Sequence, residues 1–238
     1  MEKSLFICSI IFFALTLPCI ICTCLFDIKQ KMVLKTIFKT CASFSILIGC
    51  ILIFAGNNVW TTPQILVLVG VAVALIGDVL LSEFSKGKIK QIFSALGLLA
   101  FICTHVLYVV AFLKSSISIS NFIVFAPLGG MIIMAVLIVF KVLKLDNLAT
   151  TIGTLIYSGV VFLMLGCAVN LYAIGGIGNG IYAVVGATLF LCSDILLSLV
   201  NFNDKIHNQR KYVFPAILVL YYLGQIFILL SMVIKWAV

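Results

Sequence analysis

Long apolar segments alternate with short polar breaks along the whole chain. Each apolar segment is close to the ~20 residues that an α-helix needs to cross the hydrocarbon core of a bilayer. The breaks hold most of the lysine, asparagine and aspartate residues. The pattern predicts eight membrane-spanning helices, at residues 4–26, 36–55, 64–82, 92–113, 119–140, 150–172, 180–200 and 212–236. We therefore expect an all-α polytopic membrane protein that forms a single domain over residues 1–238.

Composition excludes the other broad classes of protein. Hydrophobic residues make up 64% of the chain and charged residues 9%, whereas soluble domains carry about 25% charged residues. The chain also has no polar low-complexity tract, which excludes intrinsic disorder. The first apolar segment is longer than the core of a secretory signal, and no small-residue cleavage motif follows it. We interpret it as a retained span.

The positive charge lies mainly on one side of the predicted bundle. The connections after spans one, three, five and seven hold 12 of the 15 basic residues, namely Lys29, Lys31, Lys35, Lys39, Lys86, Lys88, Lys90, Lys141, Lys144, Lys205, Arg210 and Lys211. Basic loops remain in the cytosol, so we expect both termini to be non-cytosolic. The net charge of +8 then orients the protein, and we expect no nucleic-acid partner. A bacterial inner membrane and an internal eukaryotic membrane both fit.

Two aspartates lie inside predicted spans. Asp78 precedes Glu83 by five residues, so it lies about 7–8 Å inside its helix end at 1.5 Å per residue. Asp194 precedes Asn201 by seven residues, or about 10 Å. A carboxyl there costs several kcal/mol unless it is paired or faces a wet cavity, which favours a functional role. The other acids lie at helix ends or in loops, where we expect water to solvate them: Glu2, Asp27, Glu83, Asp146 and Asp204.

The sequences around the two aspartates match each other. Residues 78–82 read DVLLS and residues 194–198 read DILLS, and a small residue precedes each, Gly77 or Ser193. The offset of 116 residues corresponds to four spans, so both halves keep the same orientation. This predicts two parallel four-helix repeats about an axis along the membrane normal. Asp78 and Asp194 would then face each other; two separately hydrogen-bonded structural carboxyls are the alternative.

Other polar residues inside the spans can complete a polar cavity. His105 and Tyr108 are three residues apart and share a helix face. His105 lies nearer the middle of the membrane than the aspartates, so direct contact requires a tilted or elongated pocket. The remaining candidates are Lys39, Tyr157, Tyr221, Tyr222 and Gln225, although each of these is also compatible with packing or, for Lys39, with snorkelling. The nine cysteines all lie in spans, where we expect packing and no metal site.

Four short motifs resemble one known family of integral membrane proteins. They are Gly77-Asp78, Phe101-x-x-x-His105-x-x-Tyr108, Gly186-Ala187-x-x-Phe190-x-x-Ser193-Asp194 and Tyr222-x-x-Gln225. In order and spacing they resemble the YhhN/lysoplasmalogenase family, from about Lys39 to Gln225. The resemblance implies hydrolysis of the vinyl-ether bond of lysoplasmalogens to a fatty aldehyde and glycerophosphoethanolamine or glycerophosphocholine. It maps the acidic positions of the family onto Asp78 and Asp194, and its histidine and tyrosine onto His105 and Tyr108.

The chemistry of vinyl-ether hydrolysis suits these residues. The reaction adds a proton to an alkene carbon and water to the resulting oxocarbenium-like centre. One protonated carboxyl and one carboxylate supply this without a metal or cofactor, and two desolvated carboxyls share one proton. We therefore expect Asp78 and Asp194 to form an acid/base pair, with the two roles unassigned. We expect the lysophospholipid to enter from the bilayer and to be bound or oriented by Lys39, His105, Tyr108, Tyr157, Ser193, Tyr222 and Gln225.

Two other classes of membrane protein also use intramembrane aspartates. Intramembrane aspartyl proteases carry Gly-x-Gly-Asp, but Leu75 occupies the first glycine position here. A proton-coupled small-solute carrier or a lipid-binding protein stays open, because parallel repeats and buried carboxyls suit proton relays. Proton-coupled uptake without aldehyde release would favour the carrier.

Overall fold

The chain forms a bundle of long helices. A computed structural model describes residues 3–56, 60–81, 87–145, 148–175 and 179–233. Its helices are α1 (Lys3–Ile28), α2 (Met32–Ala55), α3 (Thr62–Leu80), α4 (Gly87–Ser115), α5 (Phe125–Val139), α6 (Leu148–Ile174), α7 (Gly180–Phe202), α8 (Asp204–His207) and α9 (Arg210–Ser231). All except α8 belong to segments long and apolar enough to cross a membrane. The predictions of an all-α protein and of eight spans are therefore confirmed.

The fifth span does not begin at residue 119 as predicted. Its first turn is a 3-10 helix, Asn121–Val124, and α5 begins only at Phe125. Asn170 of α6 holds the preceding segment extended, because its side chain accepts from the Ser120 N–H at 3.0 Å and donates to the Ser118 carbonyl at 2.9 Å. A buried amide with these two hydrogen bonds fixes where the helix can start.

The last span also differs from its prediction of 212–236. It begins at Arg210 and ends at Ser231, and residues 234–238 lie outside the described part of the chain. The short helix α8 precedes it, and the Asn203 side chain caps α8 by accepting from the Lys205 and Ile206 N–H groups. At the other end, Gln64 of α3 donates to the Met232 carbonyl at 3.1 Å. These polar contacts define both ends of α9.

Helix packing follows the same order in the two halves of the chain. The closest pairs are α1 with α2 and α3 with α4, then α5 with α6 and α7 with α9. Small residues permit the tightest approach, as is usual between membrane helices. A Cβ on Gly186 of α7 would lie 2.6 Å from the Ile228 backbone nitrogen of α9, and one on Gly70 of α3 would lie 2.5 Å from the Tyr108 ring. The matched pairing supports the predicted repeat.

Candidate active site

Asp78 of α3 lies in a cluster of hydrogen-bond donors from two other helices, α2 and α9. Its carboxyl is 2% exposed and accepts from Lys39 Nζ at 2.9 Å, Ser43 Oγ at 2.5 Å and Tyr221 Oη at 2.9 Å. Lys39 and Ser43 are four residues apart on α2 and therefore project from one face. Tyr222 Oη closes the cluster by donating to the Lys39 carbonyl at 3.0 Å. Three donors, one of them a cation, suit the ionised form of the carboxyl.

Asp194 lies in a second cluster with different chemistry. Its side chain is 12% exposed, accepts from Tyr157 Oη at 2.9 Å, and lies 3.6 Å from His105 Nε2. The described residues place no lysine or arginine within ion-pair distance of this carboxyl. Asp194 therefore has one hydroxyl donor and one imidazole, where Asp78 has a cation.

The tautomer of His105 follows from its other contact. His105 Nδ1 lies 2.6 Å from the Phe101 carbonyl oxygen, which can only accept a hydrogen bond. Nδ1 must therefore carry a proton, so in the neutral ring Nε2 has the lone pair. Nε2 lies 3.6 Å from the Asp194 carboxyl, beyond hydrogen-bond distance, and has no hydrogen-bond partner among the described residues. His105 is fully buried, and the rings of Phe190 and Tyr157 pack against it at centroid distances of 4.7 and 5.4 Å. A protonated Asp194 would face an acceptor in this arrangement.

The two clusters adjoin but do not merge. In the described part of the chain, the two carboxyls have no hydrogen-bond partner in common. Ring contacts connect them: Phe190 packs on His105, and Tyr221 packs on Phe190 at 5.2 Å while bonding Asp78. The two carboxyls therefore have separate hydrogen-bond partners, and the expected pair that shares one proton stays a prediction.

The contacts follow the predicted 116-residue offset. His105 of the first half lies beside Asp194 of the second, and Tyr221 of the second half bonds Asp78 of the first. His105 and Tyr221 are themselves 116 residues apart, as are Asp78 and Asp194. Each carboxyl therefore receives a ring from the other half of the bundle. This exchange supports the parallel repeat and places the site between the halves.

A comparison with known families agrees with this region. The profile of the YhhN family matches residues 34–232. The chain belongs to the YhhN family. The matched region contains both carboxyl clusters, whereas α1 lies before it. Neither a curated protein nor a solved structure matches the chain.

The other predicted site residues of this YhhN protein differ in whether their polar groups have a hydrogen-bond partner, and in which partner it is. Tyr157 and Tyr222 hydrogen-bond within the clusters, but Ser193 donates to the Ile217 carbonyl of α9 at 3.0 Å and so joins two helices. Tyr108 and Gln225 lie fully or almost fully buried, and their hydroxyl and amide groups have no hydrogen-bond partner among the described residues. Buried polar groups are normally satisfied, so these two are candidates to contact a bound polar molecule.

One expectation about the charged residues of the YhhN protein changes. Asp27 is largely buried and pairs with Lys35 at 2.7 Å and Arg210 at 3.5 Å, so the expectation that water solvates it is wrong. The reason is that α1, α2 and α9 meet around it.

Glu2, Glu83 and Asp146 lie outside the described residues. Among the described residues no group of three His, Cys, Asp or Glu side chains could hold a metal ion, and independence from metals stays a prediction.

Sequence reasoning missed Ser43, which donates the shortest hydrogen bond to Asp78. The sequence of the YhhN protein contained one indication of this role, because Ser43 lies one helical turn after Lys39 and shares its helix face. A serine inside a span is common, however, and usually bonds its own backbone, as Ser43 also does with the Lys39 carbonyl at 3.3 Å. Only the position of Asp78 shows which bond matters.

Proposed function

We propose that this YhhN-family protein hydrolyses the vinyl-ether bond of lysoplasmalogens. The observation that carries the proposal is the difference between its two buried carboxyls. Asp78 has a cation and two hydroxyl donors, whereas Asp194 has one hydroxyl donor and faces the lone pair of His105. Acid/base catalysis needs one carboxyl in each protonation state. The four sequence motifs described above supply the substrate class.

In the proposed reaction Asp194 is the proton donor. It transfers its proton to the alkene carbon that is not bonded to oxygen, so the C=C bond becomes a single bond. Positive charge then develops on the ether carbon and oxygen. The oxygen of a water molecule bonds to this carbon and its proton passes to His105 Nε2, which forms a neutral hemiacetal. Asp194 is at this point a carboxylate and His105 an imidazolium.

Collapse of the hemiacetal restores both groups. The hemiacetal hydroxyl gives its proton to Asp194 as the carbonyl double bond forms. His105 gives its proton to the departing glycerol oxygen as the carbon–oxygen bond breaks. The products are a fatty aldehyde and glycerophosphoethanolamine or glycerophosphocholine. Both Asp194 and His105 have returned to their starting protonation states. Tyr157 holds Asp194 in position through its 2.9 Å hydrogen bond.

Asp78 contributes a fixed negative charge near the oxocarbenium-like centre. Its contact to the reacting region runs through Tyr221, whose hydroxyl bonds Asp78 and whose ring packs on Phe190. Such preorganised charge stabilises a developing positive centre without reorganisation. Lys39 serves here as the counter-ion of Asp78, and its predicted contact with a substrate phosphate stays a prediction.

The decisive experiment compares two lipids that differ only in the reactive bond. Purified protein is incubated with a lysoplasmalogen and with its saturated ether analogue, and free aldehyde is measured. We expect aldehyde from the first lipid and none from the second. The Asp194→Asn variant, purified in the same detergent, should release about 10²–10⁴-fold less aldehyde from the lysoplasmalogen. Absence of aldehyde with the wild-type protein, or its release from both lipids, would reject the proposal.

A proton-coupled carrier is the second candidate function. The exchange of His105 and Tyr221 between the two halves is the observation that favours it, because carriers bind substrates between repeats. Proteoliposomes with an imposed proton gradient separate the two functions. Accumulation of a small solute that depends on Asp194, without aldehyde release from lysoplasmalogen, would favour transport over hydrolysis.

A further inference from the structure

Two buried polar side chains have no hydrogen-bond partner among the residues that the structure describes. Tyr108 of α4 is 0% exposed and Gln225 of α9 is 1% exposed. The unpartnered atoms are the Tyr108 hydroxyl oxygen and both the nitrogen and the oxygen of the Gln225 amide. Burial of such groups without a partner is costly, and native proteins almost always satisfy them. These atoms therefore indicate a bound polar molecule.

Helices α4 and α9 contact each other on both sides of Tyr108. The Phe101 ring of α4 lies 6.0 Å from the Tyr221 ring of α9, and Ser115 Oγ of α4 donates to Met232 Sδ, just after α9, at 3.4 Å. Tyr108 is seven residues from each of these two α4 positions. The two contacts therefore enclose a length of about 16 Å along α9.

Gln225 lies within the same length of α9, four residues after Tyr221 and seven before Met232. The Tyr108 ring packs on Gly70 of α3, where a Cβ would lie only 2.5 Å from the ring. Helical side chains lean toward the N-terminus of their own helix, so we expect the Tyr108 hydroxyl to lie back at the level of Gln225. The two unpartnered groups thus belong to one layer of the bundle, between α3, α4 and α9.

The chemistry of the two groups selects a small neutral molecule. A tyrosine hydroxyl and a carboxamide can each donate and accept a hydrogen bond, and neither carries a charge. Both side chains are closed to the bilayer, and Phe112 and Ile228, one turn or less beyond them on α4 and α9, are 0% exposed. A lipid headgroup or chain has no access to such a site. Water has the required size, and buried waters typically bond polar groups that the protein leaves unsatisfied.

His105 has a further unpartnered polar atom in this layer. Its Nε2 has no hydrogen-bond partner among the described residues. His105 is four residues after Phe101 on α4, as Gln225 is four residues after Tyr221 on α9. Because the Phe101 and Tyr221 rings are in contact, the imidazole and the amide lie at about the same depth. In the proposed reaction this nitrogen accepts the proton of the attacking water.

We propose that Tyr108 and Gln225 bind internal water, and that this water is the one added to the substrate at Asp194. The fate of the water rests on the proposed function, whereas its binding does not. Hydrolysis consumes one water molecule in each turnover, and a site within the hydrocarbon region has no bulk water beside it. Tyr108 and Gln225 are then positioning residues that hold the water, and His105 accepts its proton.

X-ray radiolysis of the protein in nanodiscs tests for the water. The beam converts internal water into hydroxyl radicals, which oxidise the side chains beside it, and mass spectrometry identifies the oxidised residues. Phe112 is the matched control, because it lies one turn after Tyr108 on α4, is also 0% exposed and has a reactive aromatic ring. After normalisation to the unfolded chain, we expect oxidation of Tyr108 well above that of Phe112, with oxygen derived from isotopically labelled water.

Two variants of equally buried amides identify what holds the water. Gln225→Leu removes the unpartnered amide and should reduce Tyr108 oxidation to the level of Phe112. Gln64→Leu removes an amide that is 0% exposed but donates to the Met232 carbonyl, and it should leave Tyr108 oxidation unchanged. Equal oxidation of Tyr108 in Gln225→Leu and wild type would overturn the inference. So would wild-type oxidation of Tyr108 no higher than that of Phe112, a comparison that requires no variant to fold.

Turnover of lysoplasmalogen by the same proteins separates this inference from the proposed function. Oxidation of Tyr108 without aldehyde from wild type would keep the water site and reject the hydrolase. Aldehyde from wild type with Tyr108 oxidised no more than Phe112 would keep the hydrolase and reject the water site. Where both are found, Gln225→Leu should lower kcat with KM nearly unchanged, because it removes held water and no lipid contact. A raised KM with unchanged kcat would overturn the role of this water in turnover.

Discussion

Removal of the Lys39 charge tests whether Asp78 is a buried carboxylate. In Lys39→Met the apolar chain is retained, but the ammonium 2.9 Å from Asp78 is lost. Asp78 is 2% exposed, so water cannot replace the lost cation. Ser43 and Tyr221 still donate to the carboxyl, but neither carries a charge. The variant therefore leaves an uncompensated negative charge between α2, α3 and α9.

The expected loss in the free energy of unfolding of Lys39→Met follows from the distance between the two charges and from the burial of Asp78. Two unit charges 2.9 Å apart attract by about 6 kcal/mol at an effective dielectric constant near 20. Desolvation of the pair offsets part of this, so the loss of one partner from a buried pair costs about 3–5 kcal/mol. Removal of both charges in Lys39→Met/Asp78→Asn should cost much less than the sum of the two single variants, because no lone charge remains.

Unfolding in mixed micelles of mild detergent and dodecyl sulphate measures these free energies. The four proteins of the double-mutant cycle are compared with Lys144→Met, which removes a cation from an exposed ion pair with Asp204 and should change stability little. The reasoning is refuted if Lys39→Met costs less than about 1 kcal/mol, or if the two single costs simply add. Either result would mean that the charge of Lys39 does not stabilise the native protein through Asp78.

Three further predictions follow from the same structure. Asp194→Asn should lower aldehyde release by about 10²–10⁴-fold in a rate assay, while the exposed-residue control Asp204→Asn keeps wild-type turnover. Gly186→Ala should destabilise the protein in the micelle assay because its Cβ would meet α9 backbone atoms within 3 Å, whereas Gly129→Ala has nothing within 4 Å and should be neutral or stabilising. Lys144 donates to Asp204 and lowers its pKa, so their stabilisation exists above the ordinary carboxyl pKa and is lost as pH falls through the lowered one. Lys144→Met should raise that pKa in a carboxyl carbon-13 titration.

Membrane solvation explains why so much of the fold could be predicted. Every backbone polar group in hydrocarbon must be satisfied within its own helix, so length and hydropathy determine the spans. The predicted start of α7 at residue 180 agrees with the structure. Errors occur where side-chain contacts set a boundary, as where Asn170 delays the start of α5. The sequence of residues 119–124 has no periodicity that would predict their contact with Asn170 on another helix.

The candidate site was predictable as a set of residues but not as a geometry. Asp78 and Asp194 stand out because charged residues inside spans are costly. Depth along the spans indicated that contact between His105 and the aspartates requires a tilted or elongated pocket, and in the structure His105 Nε2 lies 3.6 Å from Asp194. Which side chains of neighbouring helices come together is not encoded locally in the sequence. The matched motifs likewise did not show that Phe190 packs on both His105 and Tyr221.

Divergence between the two repeats supplies the chemical asymmetry that an acid/base site needs. Lys39 and Ser43 both donate to Asp78, but the positions 116 residues later hold Leu155 and Gly159, which cannot donate from a side chain. Each carboxyl also lies beside a ring from the other half, which is Tyr221 for Asp78 and His105 for Asp194. An exact repeat would give two identical carboxyls and no preferred donor. With a leucine at the position of the lysine and a histidine at that of the tyrosine, Asp194 lies beside an imidazole, whereas Asp78 has a cation and two hydroxyl donors. The surroundings of the two carboxyls therefore differ in charge, and this is the asymmetry on which the proposed proton transfers rest.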